Sequence, residues 1–91
     1  MNYEYKPSFE RMFKKLEPGA KIRVVDAIFS LIDFFETGQR TVGLGLKQLR
    51  GDFWEIRVDL KIRVLFVFES DTVSFIIVGT HDDISKFLRR S

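Results

Sequence analysis

His81, Arg57, Arg63 and Glu55 are the residues of this chain whose types and spacing could do chemistry. His81 is the sole histidine of 91 residues. It follows "IIVG" and precedes "DDI", where a strand exits into a helix, a common place for functional groups. An imidazole titrates near pH ~6.5, which makes it the natural proton-transfer group at neutral pH. Upstream, "FWEIRVDLKIRVLF" (Phe53–Phe66) alternates apolar residues with Glu55, Arg57, Asp59, Lys61 and Arg63. That period predicts two half-buried strands joined by a tight turn. Odd-numbered positions share a face within each strand, so Glu55, Arg57 and Arg63 converge if the pairing register keeps them together. Two neighbouring guanidiniums repel unless an anion or a carboxylate sits between them. One reading is a phosphate clamp, because guanidinium matches phosphate oxygens in a bidentate way. The other is cross-strand ion pairing with Glu55 or Asp59 on a solvated face. His81 has its own plain alternative, an exposed side chain or one capping nearby backbone.

The remaining polar motifs read more simply. Asp82 is expected as the N-cap of a last helix, with Asp83 in its first turn. One His and no Cys leave no transition-metal cluster in sight, and no metal or cofactor is expected. "GLGLK" lacks the Gly-Lys-Ser/Thr ending of a phosphate loop and precedes a strand, so its glycines are read as turning the backbone into the sheet. Lys47 and Arg50 are candidates for contacting a backbone phosphate, or else charges that protect a sheet edge. Trp54 and the phenylalanines read as core. Phe87 is held open as a base-stacking residue, because it lies six residues after His81.

Ten Phe and an apolar fraction of 45% support a packed core and argue against disorder. The length fits one domain, residues 1–91. The absence of Cys suits a cytoplasmic location. No apolar run approaches the roughly 20 residues of a membrane span, and the N-terminus lacks a signal-peptide core, so no membrane partner is expected. The net charge is only +2, but it is unevenly placed. Residues 1–37 hold six basic and six acidic side chains. Residues 38–63 hold six basic (Arg40, Lys47, Arg50, Arg57, Lys61, Arg63) and three acidic, so the basic excess sits on the loop and hairpin and favours a polyanion.

These residues need elements to hold them. "NYEY" reads as a first strand, and Pro7 opens a helix with Phe9, Met12, Phe13 and Leu16 on one stripe. Pro18–Gly19 reads as a turn. A longer helix from Ala20 to Thr37 is expected to bury Ile22, Val25, Ile28, Phe29, Ile32 and Phe35 and to stop at Gly38. A glycine-punctuated loop then leads to a short strand near Leu46–Leu49. Strands Phe53–Val58 and Ile62–Glu69 follow, then the apolar "VSFIIVG", expected to be central, then a tail helix over Asp82–Arg90. Compressed to its main elements the order is β–α–α–β–β–β–α, an α+β sandwich with an antiparallel sheet packed against two N-terminal helices and a short C-terminal helix. The length of the turn at Glu69–Thr72 decides whether His81 faces Arg63.

"LKQLRGDFWEIRVDLKIRVLF" followed by "VSFIIVGTHDDISKFLRR" resembles the RelE/ParE superfamily of toxins from type II toxin–antitoxin pairs. The resemblance runs over nearly the whole chain. It implies the small RelE-like fold, a cognate antitoxin as partner, a possible toxin–antitoxin heterotetramer, and messenger RNA in the ribosomal A site as substrate, cut by attack of a 2′-OH on its own phosphodiester. Arg63 matches the arginine of the family's "YRxxY" strand that contacts the scissile phosphate, and Arg57 a basic residue on the preceding strand. His81 matches the position of a catalytic histidine in YoeB-like and YafQ-like branches. On this basis His81, Arg63, Arg57 and Glu55 are the expected catalytic set, with Glu55 as base, and Lys47, Arg50, Lys61 and Phe87 are expected to bind RNA. Phe87 replaces a tail tyrosine of RelE, and Glu55 replaces a lysine. ParE-like members act on DNA gyrase without cutting RNA, and that is the alternative function, together with an inactive relative that only binds its antitoxin.

Overall fold

The computed structural model describes residues 1–39 and 43–90. Arg40, counted above in the basic excess, lies outside the described residues. The elements are β1 (Asn2–Tyr5), α1 (Pro7–Lys14), α2 (Pro18–Thr37), β2 (Lys47–Arg50), β3 (Phe53–Arg57), β4 (Ile62–Glu69), β5 (Thr72–Thr80) and α3 (His81–Arg89). The five strands form one sheet in the order β1-β5-β4-β3-β2. The fold is α+β, as expected, with two differences. Four strands follow the helices, because the short strand expected near Leu46–Leu49 forms over Lys47–Arg50 and joins the sheet beside β3, with an irregularity between Gln48 and Arg50. The sheet is mixed, not antiparallel throughout. β1 runs parallel to β5, and Lys6 N–H donates to the Phe75 carbonyl at its far end.

Helices α1 and α2 cover one face of the sheet. Phe9, Val24, Ile28 and Leu31 pack there on Ile56, Val64, Phe66, Val73, Phe75 and Val78. On the other face Leu65 and Ile77 pack against Ile84 of α3, with Phe53 and Phe87 at the margin. The alternation in β3 and β4 sends even positions to α1 and α2 and odd positions to α3.

Helix α2 departs from its expected form in two ways. It begins at Pro18, at a first-turn position where the missing N–H costs nothing. Its buried residues are Ala20, Val24, Ile28 and Leu31, whereas Ile22, Val25 and Phe29 are exposed. The helix is apolar almost all the way round, so two stripes compete and spacing alone chooses wrongly. Gly38 ends it as expected, in the left-handed conformation at φ 78°, with its N–H bonded to the Phe34 carbonyl.

The choice of stripe can be checked by urea denaturation. Leu31→Ala leaves a cavity under a fully buried side chain and should cost about 2–5 kcal/mol. Phe29→Ser, on the exposed stripe, should stay within about 0.5 kcal/mol. Equal losses would contradict the observed helix orientation.

Candidate phosphate-binding site

The hairpin register settles the first question raised by the sequence. Arg57 and Arg63 are direct cross-strand partners. The turn between them is fixed by Asp59, whose Oδ1 accepts from the N–H groups of Lys61 and Ile62, both at 2.8 Å. Arg23 of α2 donates to Asp59 Oδ2 at 3.1 Å and ties the turn to the helix layer. The two backbone N–H donors, and then Arg23, hold the Asp59 carboxyl below its ordinary range.

Strand β5 delivers His81 by a less visible device. Ser70 and Asp71 form a two-residue turn with φ of 49° and 61°, the geometry that suits a tight hairpin. Phe66 pairs with Phe75, but Leu65 pairs with Ile77, so Ile76 is an extra residue, a β-bulge. The Ser8 hydroxyl of α1 donates to the Ile76 carbonyl. The bulge reverses the parity of β5, placing Ile77 on the α3 face and Gly79 opposite Arg63.

Helix α3 starts immediately afterwards, at His81. Its N-cap is Thr80, not Asp82. Thr80 Oγ1 accepts from Asp83 N–H at 3.2 Å, and Asp83 Oδ2 accepts from Thr80 N–H at 2.8 Å, a reciprocal capping box. Gly79 is required here, since a Cβ would stand 2.5 Å from Asp83 Oδ2.

The outcome is a hollow of about 250 Å³ on the face away from α1 and α2. Glu55, Arg57, Arg63, His81 and Lys47 all line it, with Gly45, Ser85 and an apolar wall of Leu49, Ile84 and Leu88. Arg57, Lys47 and His81 are exposed, while Glu55 is buried at 9% exposure. The Arg63 side chain is 18% exposed. Its Nε lies 3.7 Å from Glu55 Oε2, an ion pair too long for a hydrogen bond. Its Nη1 is buried with no hydrogen-bond partner among the described residues. A buried guanidinium edge left so costs roughly 1–3 kcal/mol or more, which an anion would recover. Gly45, at φ 62°, lets the loop pass Arg57, where a Cβ would come within 2.9 Å of the Arg57 Cβ. The arrangement can hold a phosphate between two guanidiniums and present an imidazole to its oxygens.

Three expected contact residues lie elsewhere. Lys61 lines a larger hollow of about 640 Å³ on the side of α1 and α2, beside Arg23, Asp59 and Thr80. The Arg50 guanidinium bonds the Leu88 carbonyl and anchors the end of α3. Phe87 packs edge-on to Phe53 at 6.2 Å, so it serves the small core under α3. Ser85 was missed in the sequence. Its signal was its i+4 spacing from His81, which puts both on one helix face. A groove of about 560 Å³ between α1 and α2 is lined by Phe9, Phe13 and Phe29 and lacks the combination of cations and imidazole. No group of three or more metal-ligating side chains occurs among the described residues. None of their helices is long and apolar enough to cross a membrane.

No protein-family model matches the sequence, and no curated protein matches it. Solved structures do match. RelE in the RelB–RelE antitoxin–toxin complex from Methanococcus jannaschii aligns with a TM-score of 0.68 at 15% identity, over 92% of this chain and 96% of that one. YafQ from E. coli strain BL21(DE3) gives 0.64 at 13% identity, over 91% and 96%. The YoeB/ParE toxin from Agrobacterium tumefaciens gives 0.65 at 18% identity, over 89% and 99%. The chain has the fold of the RelE-like toxins over nearly its whole length.

Asp59 sets the register that joins the two arginines, and its depressed proton affinity fixes the sign of a pH effect. Its stabilisation is complete above the unfolded carboxylate pKa, about 4, and is lost as pH falls through the lower folded value. Asp59→Asn should therefore be less stable than wild type at pH 7, with the gap closing under acid in thermal melts. A gap that widens on acidification would contradict this role.

Proposed function

We propose that this chain is the toxin of a type II toxin–antitoxin pair and acts as an endoribonuclease on messenger RNA in the ribosomal A site. The observation that carries the reading is the buried, incompletely partnered guanidinium of Arg63 in a hollow it shares with Arg57 and His81. The RelE-like fold supports it, and several of the matched structures are antitoxin–toxin complexes. The partner is a cognate antitoxin in the cytoplasm, whose acidic side chains meet Arg57 or Arg63 and mask the hollow.

In the proposed reaction the 2′-oxygen bonds to phosphorus and the bond from phosphorus to the 5′-oxygen breaks, leaving a cyclic phosphate and a 5′-hydroxyl. Arg63 holds the scissile phosphate. Arg57 neutralises the phosphorane or the next phosphate, and preorganised cations of this kind stabilise the transition state most. His81 gives a proton to the leaving 5′-oxygen, where histidinium also meets the developing negative charge. Glu55 is the carboxylate in the hollow that receives the 2′-OH proton. Lys47 lines the rim of the same hollow. The charge stabilisation comes from side chains, so chelation with EDTA should leave cutting intact while the ribosomes stay intact.

His81→Ala and Arg63→Ala should each lower single-turnover cutting by about 10²–10⁴ and relieve toxicity, with the fold and antitoxin binding retained. Lys86→Ala, an exposed position outside the hollow, should change little. Primer extension on translated messages reads the outcome. Wild-type rates from His81→Ala would remove His81 from the mechanism. Growth arrest with messages uncut would instead favour the gyrase-directed function.

A further inference from the structure

The placement of Glu55 points to a role beyond proton transfer. We propose that Glu55 is a displaceable counter-ion, which occupies Arg63 while the hollow is empty and passes to Lys47 when a phosphate takes Arg63. The inference rests on the reading of the hollow as a phosphate site.

Three strands place the exchange. Lys47 on β2 is the direct cross-strand partner of Glu55 on β3. Arg63 on β4 is its diagonal neighbour, since Arg63 pairs with Arg57 and Glu55 pairs with Leu65. The carboxylate thus stands between two cations on opposite sides. Opposite side chains have Cβ atoms roughly 4.5–5.5 Å apart, so Lys47 is within reach by a side-chain rotation with no backbone change.

The present pairing is poor on both sides. Glu55 is almost fully buried, yet its contact with Arg63 is 3.7 Å and lacks a hydrogen bond. Arg63 keeps Nη1 without a partner. A desolvated ion pair gains net stability only with good geometry and satisfied hydrogen bonds. The alternative pair with Lys47 lies at the exposed rim, where an ion pair contributes about 0–1 kcal/mol. Neither state is deep, so the charge of an incoming phosphate decides between them. Phosphate repels Glu55, supplies Arg63 with bidentate acceptors, and reaches Arg57 as well.

A consequence is selectivity. Glu55 holds the hollow against small anions that contact Arg63 alone. An anion that bridges both arginines overcomes it.

The test uses the full chain and a tetranucleotide RNA made uncleavable by a 2′-O-methyl group at its central nucleotide, with Kd measured by fluorescence anisotropy. Glu55→Gln should bind about tenfold tighter than wild type, and Lys47→Met about tenfold weaker, each tenfold being 1.4 kcal/mol. The double variant should bind like Glu55→Gln, because Lys47 has no carboxylate left to receive. Weaker binding by Glu55→Gln would overturn the proposal. So would an equal Lys47→Met loss in both backgrounds, which makes Lys47 a plain phosphate contact. Should Glu55→Gln fail to fold, the carboxyl ¹³C resonance of Glu55 in wild type is followed instead. It should shift on addition of saturating RNA in wild type, and the absence of a shift would overturn the exchange. Arg63→Met separates the two layers. Loss of binding supports the phosphate site whatever Glu55 does, and unchanged binding removes the site and the exchange together.

Discussion

Two cations stand directly opposite each other on adjacent antiparallel strands, and much of the molecule is arranged around that unfavourable pairing. Like charges in register destabilise a sheet. Here the pairing is imposed by the Asp59 turn, which fixes Arg57 against Arg63, and by α2, which holds Asp59 through Arg23. Among the described residues the carboxylate that faces Arg63 is Glu55, at a distance too long for a hydrogen bond. A sheet built for stability alone would place a carboxylate or an apolar residue opposite one of the arginines. The observed register runs against the local rule for like charges, and it is on this conflict that the proposed phosphate site rests.

The surrounding elements serve that pair from both sides. Gly45 brings the loop against Arg57 without a clash, and Gly79 opposite Arg63 makes room for the cap of α3. The bulge at Ile76 turns the end of β5 toward the α3 face, so that His81 emerges beside the arginines. Ile84, Phe87 and Leu88 then bury the helix on Leu65 and Ile77. The two N-terminal helices contribute by keeping the opposite face dry, and α1 pins the bulge through Ser8.

The hairpin was legible in the sequence because strict alternation has one physical meaning, and the convergence of Glu55, Arg57 and Arg63 follows from it. The boundaries of β1 and the stop at Gly38 were legible for similar local reasons. The buried face of α2 was not, because an apolar residue sits at nearly every candidate position and only the tertiary packing selects Leu31 over Phe29. The parallel pairing of β1 depends on contacts some seventy residues apart in the chain and leaves no local trace. The bulge was also invisible, since "FIIV" is apolar at every step. Thr80 as N-cap was within reach, since Thr80 and Asp83 have the spacing of a capping box, but the adjacent Asp82 offered an equally good local choice. Arg50 and Phe87 also take part in the packing of α3, through the Leu88 carbonyl and the Phe53 ring, and spacing along the chain gives no sign of either contact.

The proposed reaction requires an oxyanion held between the two arginines. Crystals soaked in tungstate, a heavy mimic of phosphate, allow the position to be read from anomalous scattering. A peak is expected in the hollow within about 3 Å of guanidinium nitrogens of both Arg63 and Arg57, absent from Arg63→Met crystals. Tungstate bound elsewhere on the surface, with the hollow empty and Glu55 still against Arg63, would contradict it.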